Sequence, residues 1–401
     1  MTGEIYLDNH STTRTDPRVV EAMLPWMLED YGNPGSTSHE AGRRVAAQID
    51  RCRESIATRL HTDPEAIVFT SGATESIQLA LLGTAQHPRQ RRRKLLSTPI
   101  EHPAALACLK RLQRDGFAIE LLPVLRDIPQ SVGRVDVDAL QSAIDEQTAM
   151  VSIMLGNNEI GTIDDIAAIS RICRTAGALL HVDATQAVGK LPIDVTALGI
   201  DLMSFSAHKF YGPKGVGGLI VHQGEHPIRL HPQVLGGGQQ NNLRSGTLNT
   251  PSIIGMTTAL ELALDALPTE SVRLFELRQR LWDRLVVGIP GIKLNGPAWS
   301  TVANAHGPHP DRLHGNLNVC LPRVEGQSLM LKVPNLAISS GSACTSAAPH
   351  PSHVLLGIGL TEDQARTSLR FGIGRFNTTE EIDQAAEWIA EAYHHLVPLV
   401  A

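Results

Sequence analysis

The chain has 401 residues, 42% of them hydrophobic and 19% charged, with a formal net charge of −6 and a pI near 6.3. That length suggests a large and a small domain rather than one small core, and the mild acidity gives no global attraction to nucleic acid or anionic lipid. Five cysteines at 52, 108, 173, 320 and 344 are odd in number and widely spaced, which argues against a disulfide framework or a paired-cysteine metal site.

The N-terminus MTGEIYLDN lacks a basic segment followed by an apolar one, so no signal peptide is expected, and no run of about 18 apolar residues is present to span a membrane. A reducing, cytoplasmic setting is the expectation. In chain order, Ile5–Leu7 reads as a short strand. Further strands are expected at Ala66–Thr70, Lys94–Thr98, Ile119–Pro123, Ala149–Leu155, Ala178–Val182, Leu202–Ser206 and Val216–Val221. Amphipathic stretches lie between them at Ser76–Gln86, Pro103–Asp115, Asp136–Asp145 and Asp164–Ala176. This alternation predicts an α/β fold with a mostly parallel seven-stranded sheet. A long helical stretch from Pro251 to about Val287 leads to a smaller α+β unit ending in a helix at Thr379–His395. The expected division is a large domain over 16–262 and a small one over 1–15 and 263–401.

In open α/β sheets ligands sit beyond the carboxyl ends of the strands. Five polar clusters fall there: Ser71-Gly72-Ala73-Thr74, Glu101-His102, Asn157-Asn158-Glu159, Asp183-Ala184-Thr185-Gln186 and Ala207-His208-Lys209. The first opens a helix and suits a phosphate, although Ser and Thr also serve there as ordinary caps. Asp183 is placed to hold a protonated ring nitrogen or to cap the next helix. His102 is placed to stack on a flat ring or to pack as a histidine. Gln186 and Asn158 are amides able to bond a phenolic oxygen or to serve structure alone. Lys209 follows an apolar strand, where desolvation favours its neutral, nucleophilic amine. Lys214, in Gly212-Pro213-Lys214-Gly215, reads as a solvated turn. An amine nucleophile, a carboxylate and a phosphate cup at one edge fit pyridoxal phosphate chemistry. No metal site is expected.

The stretches VFTSGATES (68–76), NNEIG (157–161), HVDATQ (181–186), SFSAHKFYGPKG (204–215), RSGT (244–247), SSGSACTSA (339–347) and RFGIGRF (370–376) resemble the cysteine desulfurases of the NifS/IscS type, over nearly the whole chain from Tyr6 to about Ile382. The resemblance implies a fold type I pyridoxal-phosphate transferase of the class V aminotransferase kind. It implies that Lys209 carries the cofactor, Asp183 pairs with the pyridinium, His102 stacks on the ring and Gln186 bonds the phenolic oxygen. Thr74, Ser206 and His208 would bind the phosphate, with Thr247 reaching over from the other subunit of a homodimer. Asn158 and Arg370 would hold the substrate, L-cysteine. Cys344, in a Gly/Ser/Ala-rich stretch, would receive the sulfur as a persulfide and pass it to an acceptor such as an iron–sulfur scaffold or a thiolation enzyme. A selenocysteine lyase or an aminotransferase of the same fold is the alternative, and an aminotransferase would not need Cys344.

Four departures stand out: Asp8-Asn9-His10-Ser11, where aromatic and small residues are usual after Leu-Asp; Leu155-Gly156, where a His-Val pair is common; Gln239-Gln240-Asn241-Asn242, where a charged pair is usual; and the absence of a long tail after the final helix. The apolar end Leu396–Ala401 is expected to pack on the small domain and to dock a scaffold less well than a long tail. The basic run Arg89–Lys94 reads as a solvated turn rather than a contact for nucleic acid. Cys52, Cys108, Cys173 and Cys320 read as packing residues.

Overall fold

The computed structural model describes residues 3–223, 227–298, 311–340 and 350–399. Its main sheet has seven strands in the order Ile67–Thr70, Gly217–Val221, Leu202–Ser206, Leu179–Asp183, Thr148–Met154, Lys94–Ser97 and Ala118–Leu121. Gly217–Val221 runs antiparallel to both neighbours, and the remaining pairs are parallel. This is the expected α/β architecture. Every residue of Thr148–Met154 is buried, as an apolar run in mid-sheet should be when helices cover both faces. One polar residue in that core is matched rather than tolerated. His181 lies between the Ser152 and Ser204 hydroxyls of the flanking strands at 2.8 and 2.9 Å, and burial pushes its imidazole down to about 3. At the far edge Ala118–Leu121 is largely exposed, with Glu120 on it, a polar edge that discourages pairing with other chains.

Local chemistry sets the helix ends. Asp165 caps Ile166–Ala176 through the Ala168 amide, and Gly177 ends it with φ 63°, a left-handed conformation that favours glycine. The helix Ala73–Gln86 begins three residues before the expected Ser76. Glu40–Leu60 is a 21-residue helix that the sequence reading did not pick out, although Val45, Ile49, Cys52, Ile56 and Leu60 recur at helical spacing and are all buried.

A second, antiparallel sheet joins Ser339–Ser340, Ser368–Gly372, Asn316–Cys320 and Lys293–Leu294. Ile5–Tyr6 pairs in parallel with Leu336–Ala337. The 39-residue helix Thr250–Gly288 connects the two regions. Its first half buries Ile253, Met256 and Leu260 in the core that lines the main sheet. Its second half buries Leu277, Leu281 and Leu285 in a separate core with Leu317, Phe371 and Ile389. Among the described residues no helix is long and apolar enough to cross a membrane.

The basic run is not simply a solvated turn. Arg92 donates to the carbonyls of Thr148, Ala176 and Gly177, closing the end of a helix on the sheet. Arg93 stacks 3.9 Å over the Phe117 ring, and Lys94 pairs with Glu120 and Asp145. These cations hold backbone together, a use the run of like charge does not announce. Cys52, Cys108, Cys173 and Cys320 are all buried. Burial raises the Cys52 thiol and pushes Cys108 to about 11 and Cys173 to about 12, so these remain protonated packing groups.

Candidate active site

A cavity of about 610 Å³ opens at the carboxyl ends of the parallel strands. That is ample for a cofactor-sized ligand. The ends and following loops of five main-sheet strands, one N-terminal segment and Arg370 from the second sheet build it.

Ile67–Thr70 delivers Ser71 and Gly72 to the start of Ala73–Gln86. Gly72 sits at φ 147°, and a Cβ on neighbouring Gly217 would come within 2.7 Å of its Cα, so this crossing requires glycine on both sides. No side chain caps the helix. The alternative reading of Ser71 or Thr74 as an ordinary cap therefore fails, and the first-turn amides face the cavity with Thr74 among them. Glu75 accepts from the Ser71 amide and forms a bidentate pair with Arg244, whose Nε lies 2.7 Å away. Arg244 opens the 244–247 stretch. Thr247, three residues on, is exposed and does not line this cavity.

Leu202–Ser206 ends in the turn Ala207–Lys209. Ser206, His208 and Lys209 all line the cavity. Burial, with Lys209 nearby, lowers the His208 imidazole to about 4, and its Nδ1 lies 3.1 Å from the Thr12 hydroxyl. Lys209 Nζ donates to the carbonyls of His10 and Ser11 at 2.7 and 2.6 Å. Burial, reinforced by the Arg370 charge, brings its amine down from 10.5 to about 8. Lys214 also reaches the cavity wall but is exposed, as its turn implies.

Asp183 ends the adjacent strand and is 2% exposed, with one oxygen accepting from the Thr185 amide and hydroxyl. His102 faces it across the cavity. Its Nδ1 accepts from the Ala104 amide, which leaves Nε2 as the atom able to exchange a proton, and burial lowers its proton affinity. Beneath them Glu101 is enclosed. Thr98 Oγ1 donates to its Oε1, Oε2 has no partner among the described residues, and burial beside Asp183 raises its carboxyl well above the usual range. Gln186 completes this wall, with Nε2 donating to the His10 carbonyl and Oε1 accepting from Lys190.

Arg370 and Asn158 close the opposite side. Arg370 is 8% exposed. Its Nη2 contacts Asp8 at 2.7 Å, Ser11 at 2.7 Å and Ser339 at 2.9 Å, and Nη1 donates to the Asn158 carbonyl. Cys344 lies outside the described residues, but both flanks of its stretch are anchored at this rim. Ser339 donates to Asp8, while Ser352 donates to Glu159 and His353 Nε2 lies 2.9 Å from the Glu101 carbonyl.

Lys209, Asp183, Gln186, His102, Thr74, Ser206, His208, Asn158 and Arg370 thus share one cavity. The sequence reading missed the N-terminal contributors. Asp8, His10, Ser11 and Thr12 are separated from their partners by roughly 180 to 360 residues, and only the unusual His10-Ser11 pair marked the place.

The donor set fits pyridoxal phosphate: a lysine of lowered proton affinity, a buried carboxylate across from it, and uncapped helix amides for a phosphate. The sheet and this site define a pyridoxal-phosphate protein of the aminotransferase kind. Residues 5–385 match the family model described as aminotransferase class-V, and the chain belongs to that family, whose cofactor is pyridoxal phosphate. The chain is 45% identical over 395 residues to "Cysteine desulfurase IscS" of Photorhabdus laumondii, covering 98% of this chain and 93% of that one. A solved structure described as a NifS-like protein superposes with TM-score 0.86 at 34% identity, covering 98% of this chain and 100% of that one. DndA from Streptomyces lividans gives TM-score 0.74 at 35% identity, covering 90% and 97%. Within its family the chain stands with the cysteine desulfurases of the IscS type.

Proposed function

We propose that the chain converts L-cysteine to L-alanine and takes up the sulfur as a persulfide on Cys344. The observation that carries this reading is the convergence of Lys209, Asp183 and Arg370 on one cavity whose rim anchors both flanks of the Cys344 stretch. Bound pyridoxal phosphate supplies an electron sink next to the substrate Cα. Arg370 takes the α-carboxylate, as guanidinium geometry favours, and Asn158 lies beside it. Asp183 keeps a proton on the ring nitrogen by offering a buried carboxylate. Lys209, once free, carries a proton at Nζ between Cα and Cβ, a task suited to an amine whose proton affinity lies near neutrality. His102 Nε2 exchanges a proton with the substrate thiol. The Cys344 thiolate then attacks the substrate sulfur. An S–S bond forms as the Cβ–S bond breaks, the electron pair stays on Cβ, and a proton completes alanine.

The large unit over 16–262 and the small one over 1–15 and 263–401 divide within the long helix, a reading supported by the two cores its halves enter. We read the functional unit as a cytoplasmic homodimer in which exposed Thr247 serves the neighbouring subunit's phosphate. The sulfur acceptor is a protein, an iron–sulfur scaffold or a thiolation enzyme. The decisive experiment is Cys344→Ser under single-turnover conditions. The variant should take up cofactor and bind cysteine but form neither persulfide nor alanine. Alanine production at the unsubstituted rate would refute the assignment.

A further inference from the structure

The carboxamide of Gln186 is held from three directions. Lys190 Nζ donates to its Oε1 at 2.8 Å. His10 Nδ1 lies 3.1 Å from the same oxygen, and Gln186 Nε2 donates to the His10 carbonyl at 2.7 Å. Turning the amide over would set Oε1 against the His10 carbonyl, a like-with-like contact in a buried place, and Nε2 against Lys190, a second such contact whenever that amine, which burial brings down to about 7, is protonated. Gln186 is 2% exposed, so water cannot relieve them. The histidine agrees with this orientation. With Nδ1–H donating to Oε1, the Nε2, which has no partner among the described residues, is a bare lone pair, cheaper to bury than an unmet N–H. Burial and the Lys190 charge also push His10 far toward its neutral form.

One Nε2 hydrogen goes to His10, and the other remains for the cavity that Gln186 lines. A phenolate can accept from that N–H but would be repelled by a carbonyl oxygen. We propose that Lys190 and His10 are positioning residues that lock the Gln186 carboxamide so that it presents a donor, and not an acceptor, to the phenolic oxygen of pyridoxal phosphate. This rests on the reading that Gln186 faces that oxygen. Lys190 stands four residues beyond Gln186, one turn behind it.

The test uses the holoenzyme's visible absorbance, which titrates as the link between Lys209 and the cofactor gains or loses a proton. A donor on the phenolate lowers the midpoint of that titration, and losing it raises the midpoint by about one pH unit. Other charged or titratable groups facing this point are Asp183, His102, His208, Lys209, Arg370 and Glu270. All stay in place in each variant. Gln186→Ala should raise the midpoint by about one unit. Lys190→Met should raise it by a comparable amount in the otherwise unchanged protein but by less than about a third as much when Gln186→Ala is already present. Lys190→Arg, which keeps a donor and a charge, should restore the original midpoint. His10→Ala carries the same comparison if Lys190→Met fails to retain cofactor. An equal shift from Lys190→Met with and without Gln186 would mean that the lysine acts through its charge alone, and would overturn the proposal. No shift from Gln186→Ala itself would overturn the Gln186 reading and the proposal with it, whereas a shift there and none from Lys190→Met or His10→Ala would overturn only the proposal.

Discussion

Replacing Arg370 by Gln tests how the cavity prepares Lys209. The amine sits near 8 because of burial first and the Arg370 charge second, with Asp8 and Asp183 pulling the other way. At pH 7 about a tenth of such amines are unprotonated, against roughly 0.03% of an ordinary lysine, an advantage of about 300-fold for attack on an aldehyde. Arg370→Gln removes the cation and also frees Asp8 from its ion pair, and both changes favour the ammonium. A rise of about one unit follows, and with it a roughly tenfold loss of neutral amine at pH 7. The assay is the rate at which cofactor-free protein captures pyridoxal phosphate, followed by absorbance from pH 6 to pH 10. The variant should lag about tenfold at pH 7 and approach the unsubstituted rate above its shifted midpoint. An unmoved midpoint would show that Arg370 does not set the lysine, and the electrostatic account of this cavity would fall.

Lys209→Ala should remove the visible band of the lysine-bound cofactor while Lys214→Ala keeps it; the opposite result, read by absorbance after adding cofactor, would exchange their roles. Asp164 is raised by burial to about 7, so its protonated form adds stability that is fully present below about pH 4 and lost as pH climbs to about 7. Asp164→Asn, which keeps an acceptor for the Val135 amide, should abolish that fall, seen as a shallower pH dependence of the denaturation midpoint. Arg92→Ala strands the carbonyl of buried Thr148 and leaves those of Ala176 and Gly177 to water, and should cost about 1–2 kcal/mol in denaturant unfolding, with little change in cofactor uptake because the side chain lies away from the cavity.

Much of the site was legible because a parallel sheet sends every loop after a strand to the same edge. Asp183, His102, Asn158 and Lys209 needed only their strands to be recognised for their convergence to follow. The central strands were legible as apolar runs, and their ends fell within a residue or two of those expected. The resemblance supplied the roles, and Cys344, its most specific element, lies outside the described residues. Long-range partners were not legible. Nothing near Asp8 in the chain says that it faces Arg370, 362 residues away. Lys190 carries no signal of its own in Gly189-Lys190-Leu191-Pro192, and only the fold sets it on Gln186. Glu40–Leu60 carried its helical signal openly, but its many arginines masked the narrow apolar stripe. The basic run misled in the opposite sense, since charge density reports attraction to solvent and not the carbonyls a guanidinium can reach.

If Arg370 takes the substrate carboxylate as proposed, its ion pair with Asp8 makes recognition partly an exchange, since Nη2 is already taken while Nε has no partner among the described residues. A carboxylate that takes Nη2 displaces one that is already there, so that contact contributes only the difference between two similar ones. Such a site gains selectivity without tight ground-state binding. An amine with no carboxylate meets an Nη2 that is already paired and leaves the buried Nε unmet, whereas an amino acid offers the same group the protein holds in reserve. The internal carboxylate is in effect a resident competitor, and it sets the threshold that a ligand has to exceed.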